Sequence, residues 1–234
     1  LCNRVIIFSV ILMTEIYIVR HCEAIGNVKR IFQGASDLDI SETGAEQLEY
    51  LKRRFADIRI DKVYTSPLIR AKKTAIAVIG GRNIELICEP GLRELNGGIV
   101  EGKPFLETFR SIPGLADTWD NHPEDFAPEG GEKMRDAYDR IWDTVLKIAK
   151  DNKGKTVACA THGGVTRCLM CRLLNGDIKK LSKTPWSENT AVSLIRFDEC
   201  FTPEVVFFND VSHLPAELIP QRSRLSSFMG GEKK

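Results

Sequence analysis

The chain has almost no net charge: 33 Lys and Arg against 32 Asp and Glu leave +1 over 234 residues. No whole-molecule field draws nucleic acid or an anionic membrane surface to it, so neither is expected as a partner, and any anion site must be a local cluster of bases. Histidine is scarce, at four residues. It comes without an H-E-x-x-H or a clustered carboxylate spacing, which argues against a metallohydrolase; neither metal nor cofactor is expected. No apolar stretch has the length of a membrane span. The run at residues 5–12 is too short, and no small-residue cleavage site follows it. Met13 reads as the natural start, with residues 1–12 an upstream extension and a membrane-tethering segment as the alternative. The seven cysteines are odd in number and irregularly spaced, so a disulfide framework is not expected, and a reducing cytoplasm fits best. Cys168 and Cys171 sit in an apolar helical run and read as buried thiols rather than a redox couple.

What is present alternates between strand and helix patterns. Residues 15–19 are β-branched and aromatic, a buried strand. A polar loop with Gly26, Asn27, Gln33 and Gly34 follows, then a helix capped by Ser41 with Leu48, Leu51 and Phe55 on one face. Residues 58–64 predict a second strand, ending where Ser66 reads as the cap and Pro67 as the first residue of a helix carrying Arg70. Residues 84–88 are a short strand. Residues 89–131, rich in Pro and Gly, predict an irregular insertion covering an active site. A long helix over about 132–151 turns Ala137, Ile141, Val145 and Ile148 to the core. Residues 156–160, 190–197 and 204–208 predict the remaining strands, and Thr161-His162-Gly163-Gly164 a strand-to-helix corner. The tail from about 221 reads as mobile. The sum is an α/β fold, a mostly parallel central sheet with helices on both faces, in one domain over 13–220.

In such sheets functional residues gather at the carboxyl ends of strands. Arg20-His21, Arg70 and His162 all fall there, two of them at or near helix N-termini that favour anions. Two guanidiniums suit the paired hydrogen bonds of a phosphate dianion. A lone His or Arg is ordinarily structural, and His122, in a loop beside Pro123, is read that way; four coincidences at strand ends are not.

The segment from Tyr17 to Asn27, with Arg20-His21-Cys22-Glu23 at its centre, resembles the R-H-G-E-x-x-x-N signature of the histidine phosphatase superfamily, the phosphoglycerate-mutase-like proteins. The resemblance continues through Gln33-Gly34, Ser66-Pro67 with Arg70 and Thr74-Ala75, Leu92-Arg93-Glu94-Leu95 with Glu101-Gly102, Gly130-Gly131-Glu132, Thr161-His162-Gly163-Gly164 and Asn209-Asp210-Val211-Ser212-His213. It implies His21 as nucleophile, Glu94 as general acid, and Arg20, Arg70 and His162 around the phosphoryl oxygens, with Asn27, Gln33, Gly34 and Gly163 adding to phosphate binding; charge on those oxygens calls for cations, which a protonated His162 supplies beside the two arginines. Glu89 and Glu101 are the nearby competitors for the acid role. Cys22 replaces the signature's Gly; a packing role is expected for it, and no Cys-x₅-Arg loop follows. The stretch around Glu94 looks more like the alpha-ribazole and broad-specificity phosphatases than the mutases. Hydrolysis of a small-molecule phosphomonoester is therefore the expected activity, with mutase transfer on a sugar acid and a non-catalytic binding module as alternatives. His213 is read as a structural tie, and a homodimer is compatible with the sequence.

Overall fold

The computed structural model describes residues 13–219. Strands β1 (Thr14–Arg20), β2 (Lys62–Thr65), β3 (Glu85–Cys88), β4 (Thr156–Thr161), β5 (Val192–Phe197) and β6 (Pro203–Asp210) form one sheet in the order β3-β2-β4-β1-β5-β6. The first four run parallel, and β5 and β6 add two antiparallel neighbours at one side. The expected mostly parallel sheet is what forms.

Alternation along the central strands sends side chains to two cores. Ile16, Ile18, Val157 and Cys159 pack on one face with Ala137, Ile141, Val145 and Ile148 of α6 (Met134–Asp151) and with Val165, Leu169 and Met170 of α7 (Gly163–Asn175). Val19, Ala158 and Ala160 pack on the other with Leu51 and Phe55 of α2 (Glu42–Phe55) and Ala75 and Val78 of α3 (Ile69–Ile79). Strands buried on both faces cannot alternate polar and apolar residues, hence their continuous apolar runs. Cys168 and Cys171 are buried in α7, and the six cysteines among the described residues are unbridged.

Several boundaries differ from the sequence reading. Strand β2 is four residues; just before it Asp61 N donates to Thr156 O at 2.8 Å, and Thr156 N turns to the Asp61 side chain rather than to a backbone carbonyl. The polar loop after β1 contains a one-turn helix, α1 (Ile25–Val28). The insertion is less irregular than expected: it holds α4 (Phe105–Ser111) and α5 (Leu115–Asp120), too short to show periodicity. Its Phe105, Phe109, Trp119 and Phe126 pack on one another and on Phe32, with Phe105 and Phe109 centroids 4.2 Å apart and Trp119 and Phe126 4.8 Å apart. Phe109 and Phe126 are buried and belong to the same core as Ile16, Ile18 and Ile141, with Phe105 and Trp119 packed against it. Helix α2 is capped as expected, Ser41 Oγ accepting from Gly44 N at 3.0 Å. Helix α3 is not capped by Ser66; it begins at Ile69, whose N–H donates to Asp37 Oδ1 at 2.6 Å. No helix among the described residues is long and apolar enough to cross a membrane. The N-terminal extension and the polar tail from 221 lie outside the described residues.

Candidate active site

The parallel ladder sets the spacing of the site. Arg20 is paired with Thr161 and Thr65 with Ala160, so β1, β2 and β4 end level with one another. One step further, His21 N donates to Thr161 O at 2.8 Å and Ser66 N to Ala160 O at 3.0 Å. The next residue on β4 is His162, and the two imidazole centroids lie 5.2 Å apart.

His21 is buried, and its Nδ1 lies 2.6 Å from Cys22 O. A carbonyl only accepts, so Nδ1 carries the hydrogen and the neutral ring keeps its lone pair on Nε2. Burial, then the charges of Arg70, His162 and Arg20, push the His21 pKa well below its ordinary 6.5. His162 is pushed the same way by burial, Arg70 and Arg20. Burial and the two adjacent guanidiniums thus both oppose a proton on His162. His162 Nε2 is 2.7 Å from Ser66 Oγ, and its Nδ1 is buried with no hydrogen-bond partner.

Arg20 leaves β1 with its guanidinium against Gly163, where an added Cβ would come within 3.1 Å of Arg20 Nε, and it donates to Ser187 O. Arg70 is fully buried. It donates from Nη1 to Ser36 O at 2.7 Å and from Nη2 to Gln33 O at 2.7 Å and Gly34 O at 3.0 Å. Arg70 thus shapes the 33–36 loop, while its buried Nε has no partner. Gln33 and Gly34 turn their carbonyls to Arg70. Asn27 Oδ1 accepts from Ala24 N at 3.0 Å, so only its amide nitrogen has hydrogens to offer.

Glu94 receives Gly164 N at 2.9 Å, in the first turn of α7, and Leu95 N at 3.0 Å. Gly164 has no room for a side chain, since an added Cβ would meet Glu94 Oε1 at 2.5 Å. The segment before it is held by Arg140, which donates to Gly91 O and Arg93 O and pairs with Glu132, and by Thr161 Oγ1 to Leu92 O at 2.8 Å. The competing carboxylates have other work: Glu101 accepts from Ala35 N, Gly97 N and the Ser36 hydroxyl, and Glu89 from Gly91 N. Cys22 is buried, and burial pushes its thiol up to about 12, which leaves it protonated and no rival nucleophile.

His213 Nδ1 lies 3.2 Å from Arg54 Nη1 and its Nε2 3.3 Å from Thr190 Oγ1. Arginine only donates, so Nδ1 accepts and the ring ties the 211–214 loop to the segment entering β5. Burial and Arg54 bring its pKa down to about 4. Among the described residues the one group of side chains spaced to hold a metal is His122, Glu124 and Asp125 in the insertion, which includes none of these site residues. Reading the sequence missed Ser66 as the partner of His162, and it missed Arg140. Ser66-Pro67 was visible as a turn, but no local signal marks a contact to a residue so distant in the chain.

The model of the histidine phosphatase superfamily (branch 1) matches residues 16–211. The metal-independent phosphoserine phosphatase of Arabidopsis thaliana is 31% identical over 90% of this chain and 87% of its own length. The structure of Bacillus stearothermophilus YhfR superposes with a TM-score of 0.81 at 34% identity, covering 86% of this chain and 98% of that one. The alpha-ribazole phosphatase from Shigella flexneri shares the fold at a TM-score of 0.74 and 21% identity, covering 84% and 96% of the two chains. Residues 16–211 take in the strand ends that carry Arg20, His21 and His162, the segment carrying Glu94 and the helix carrying Arg70, and by that match the chain belongs to the histidine phosphatase superfamily, branch 1.

Proposed function

We propose that the protein hydrolyses a small phosphomonoester through a phosphohistidine on His21, without a metal. The observation that carries this reading is the 2.6 Å contact of His21 Nδ1 with Cys22 O, which leaves Nε2 as the attacking nitrogen beside His162 and the two arginines. Nε2 forms a bond to phosphorus as the ester P–O bond breaks, and Glu94 in its protonated form delivers a proton to the departing oxygen. Arg20, Arg70 and His162 hold the equatorial oxygens, doing by preorganised donors what a metal does elsewhere. The ring carries a positive charge in the adduct, and the Cys22 carbonyl faces the Nδ1 hydrogen that shares it. Water then attacks phosphorus, Glu94 as carboxylate takes its proton, the P–N bond breaks and inorganic phosphate leaves. The relative named as a phosphoserine phosphatase makes phosphoserine a first substrate to try, within a panel of phosphomonoesters.

The test is rapid quenching with a ³²P-labelled ester, followed by mapping of acid-labile, base-stable phosphate. Label on His21 that turns over with product release is the expected result. A His21→Ala variant that hydrolyses the ester at the wild-type rate would refute the mechanism. Transfer of label to a second hydroxyl of a phosphoglycerate, in place of water, would make the enzyme a mutase.

A further inference from the structure

The Cys22–Glu23 peptide, whose carbonyl holds the His21 hydrogen, and the peptides on either side of it are clamped from two helices. On the far side of the same peptide plane Glu23 N donates to Gln47 Oε1 at 2.8 Å. Gln47 lies in α2 and is fully buried, and its Nε2 donates to Leu218 O at 2.8 Å. From α3, Thr74 Oγ1 accepts from Cys22 N at 3.1 Å and donates to Arg70 O at 2.8 Å, and it too is fully buried. The N-terminus of α2 closes the third side: Ser41 N donates to Glu23 O at 3.0 Å, and a Cβ on Gly44 would fall 2.1 Å from that same oxygen.

We infer that Gln47 and Thr74 are positioning residues for the nucleophile, Gln47 holding the Cys22–Glu23 peptide and Thr74 the His21–Cys22 peptide before it, so that the Cys22 carbonyl takes the Nδ1 hydrogen of His21 and leaves Nε2 to attack. The inference rests on His21 being the nucleophile. Two physical effects follow. A peptide whose N–H is bonded to Gln47 is polarised, and its carbonyl is a stronger acceptor for the ring N–H as positive charge develops on phosphorylation. A peptide free to rotate lets the imidazole populate the other tautomer, in which Nε2 carries a hydrogen and cannot attack. The polar atoms of both side chains are spent on main-chain groups. Both therefore act on the phosphorylation step, and affinity for the ester stays with Arg20 and Arg70. The link to Leu218 O gives the segment after β6 a path to the nucleophile through a single glutamine.

The test uses the whole protein. Gln47→Leu removes both bonds of the glutamine, and Thr74→Val removes the hydroxyl at nearly constant volume; Thr74→Ser restores it, and Gln47→Glu keeps an acceptor for Glu23 N. Single-turnover quenching should show His21 phosphorylation slowed about 10- to 100-fold in the Leu and Val variants, the scale of a small misplacement of a reacting group. The ester concentration at half-saturation should stay within about twofold, and the Ser and Glu variants should recover most of the rate. ¹⁵N spectra of the His21 ring should show hydrogen on Nδ1 in the wild type and a tautomer mixture in the slowed variants. Folded Leu and Val variants that phosphorylate at the wild-type rate would overturn the inference. So would a wild-type ring protonated on Nε2, which decides the matter even if both variants unfold. Absence of phosphate on wild-type His21 would instead sink the mechanism, leaving the tautomer measurement to judge the clamp.

Discussion

Glu94→Gln separates the chemistry of the site from its architecture. The carboxylate accepts Gly164 N at 2.9 Å on one oxygen and Leu95 N at 3.0 Å on the other. A glutamine amide has one acceptor oxygen, so its NH₂ must face one of these N–H donors. The structural cost is one unpaired backbone N–H, about 1–3 kcal/mol, which a domain of this size survives. The chemical cost falls on proton transfer, where losing general acid–base help slows a step about 10²- to 10⁴-fold, or roughly 3–5 kcal/mol at 1.36 kcal/mol per decade. It should fall unevenly. An alkyl ester such as phosphoserine needs a proton on its leaving oxygen, whereas 4-nitrophenolate departs without one. Stopped-flow and quench measurements on the variant should show the alkyl ester slowed at phosphorylation. With the aryl ester they should show a burst of nitrophenol equal to the enzyme concentration, followed by slow turnover, because the water attack still lacks its base. Equal losses on both esters, with no burst, would refute the assignment of Glu94, and an undiminished alkyl rate would refute it outright.

The remaining predictions concern the groups around it. Since His21 and His162 are both pushed well below 6.5, kcat/KM should be level down to pH 6.5 and fall only in more acid solution; an acid limb centred at or above 6.5 would contradict the depressed values. The same depression lets the unfolded chain take protons that the folded one refuses, so the thermal midpoint should drop as pH falls from 6.5 through the folded-state values. Arg70→Lys cannot reproduce a fork spread over three carbonyls; losing two charge-assisted bonds at about 1.5–3 kcal/mol each should raise KM and speed hydrogen exchange in residues 33–36, and unchanged exchange there would contradict the clamp. Ser66→Ala leaves the His162 ring without its 2.7 Å partner and should lower kcat/KM about tenfold, the worth of one buried hydrogen bond of about 1–1.5 kcal/mol; an unaltered kcat/KM would mean that Ser66 does not orient the ring.

Much of the scaffold was readable because its causes are local. Strands buried on both faces carry continuous apolar runs, α6 carries its 3.6-residue stripe, and the rule about strand ends placed Arg20, His21 and His162 where the sheet puts them. What escaped has non-local causes. Gln47 looks like any polar residue on a helix until the buried carbonyl of Leu218 and the N–H of Glu23 are found on either side of it. Ser66 and Pro67 carry the signature of a helix cap, but the chain spends the hydroxyl on an imidazole nearly a hundred residues away. The lowered pKa of His162 likewise depends on its burial and on two guanidiniums arriving from other elements, which no short window contains. Short helices such as α4 and α5 fall below the length at which periodicity distinguishes a helix from a loop.

The level ending of β1, β2 and β4 also makes the ladder a ruler for the chemistry. The separation of His21 and His162 is inherited from main-chain pairing, in which every side chain along the ladder is replaceable by another of its kind. A slip of one residue would carry His162 about 3.3 Å along the strand and turn it to the opposite face. The spacing of the two imidazoles is therefore quantised: a register slip loses it whole, and gradual adjustment has to come from the loops and helices that meet at the strand ends.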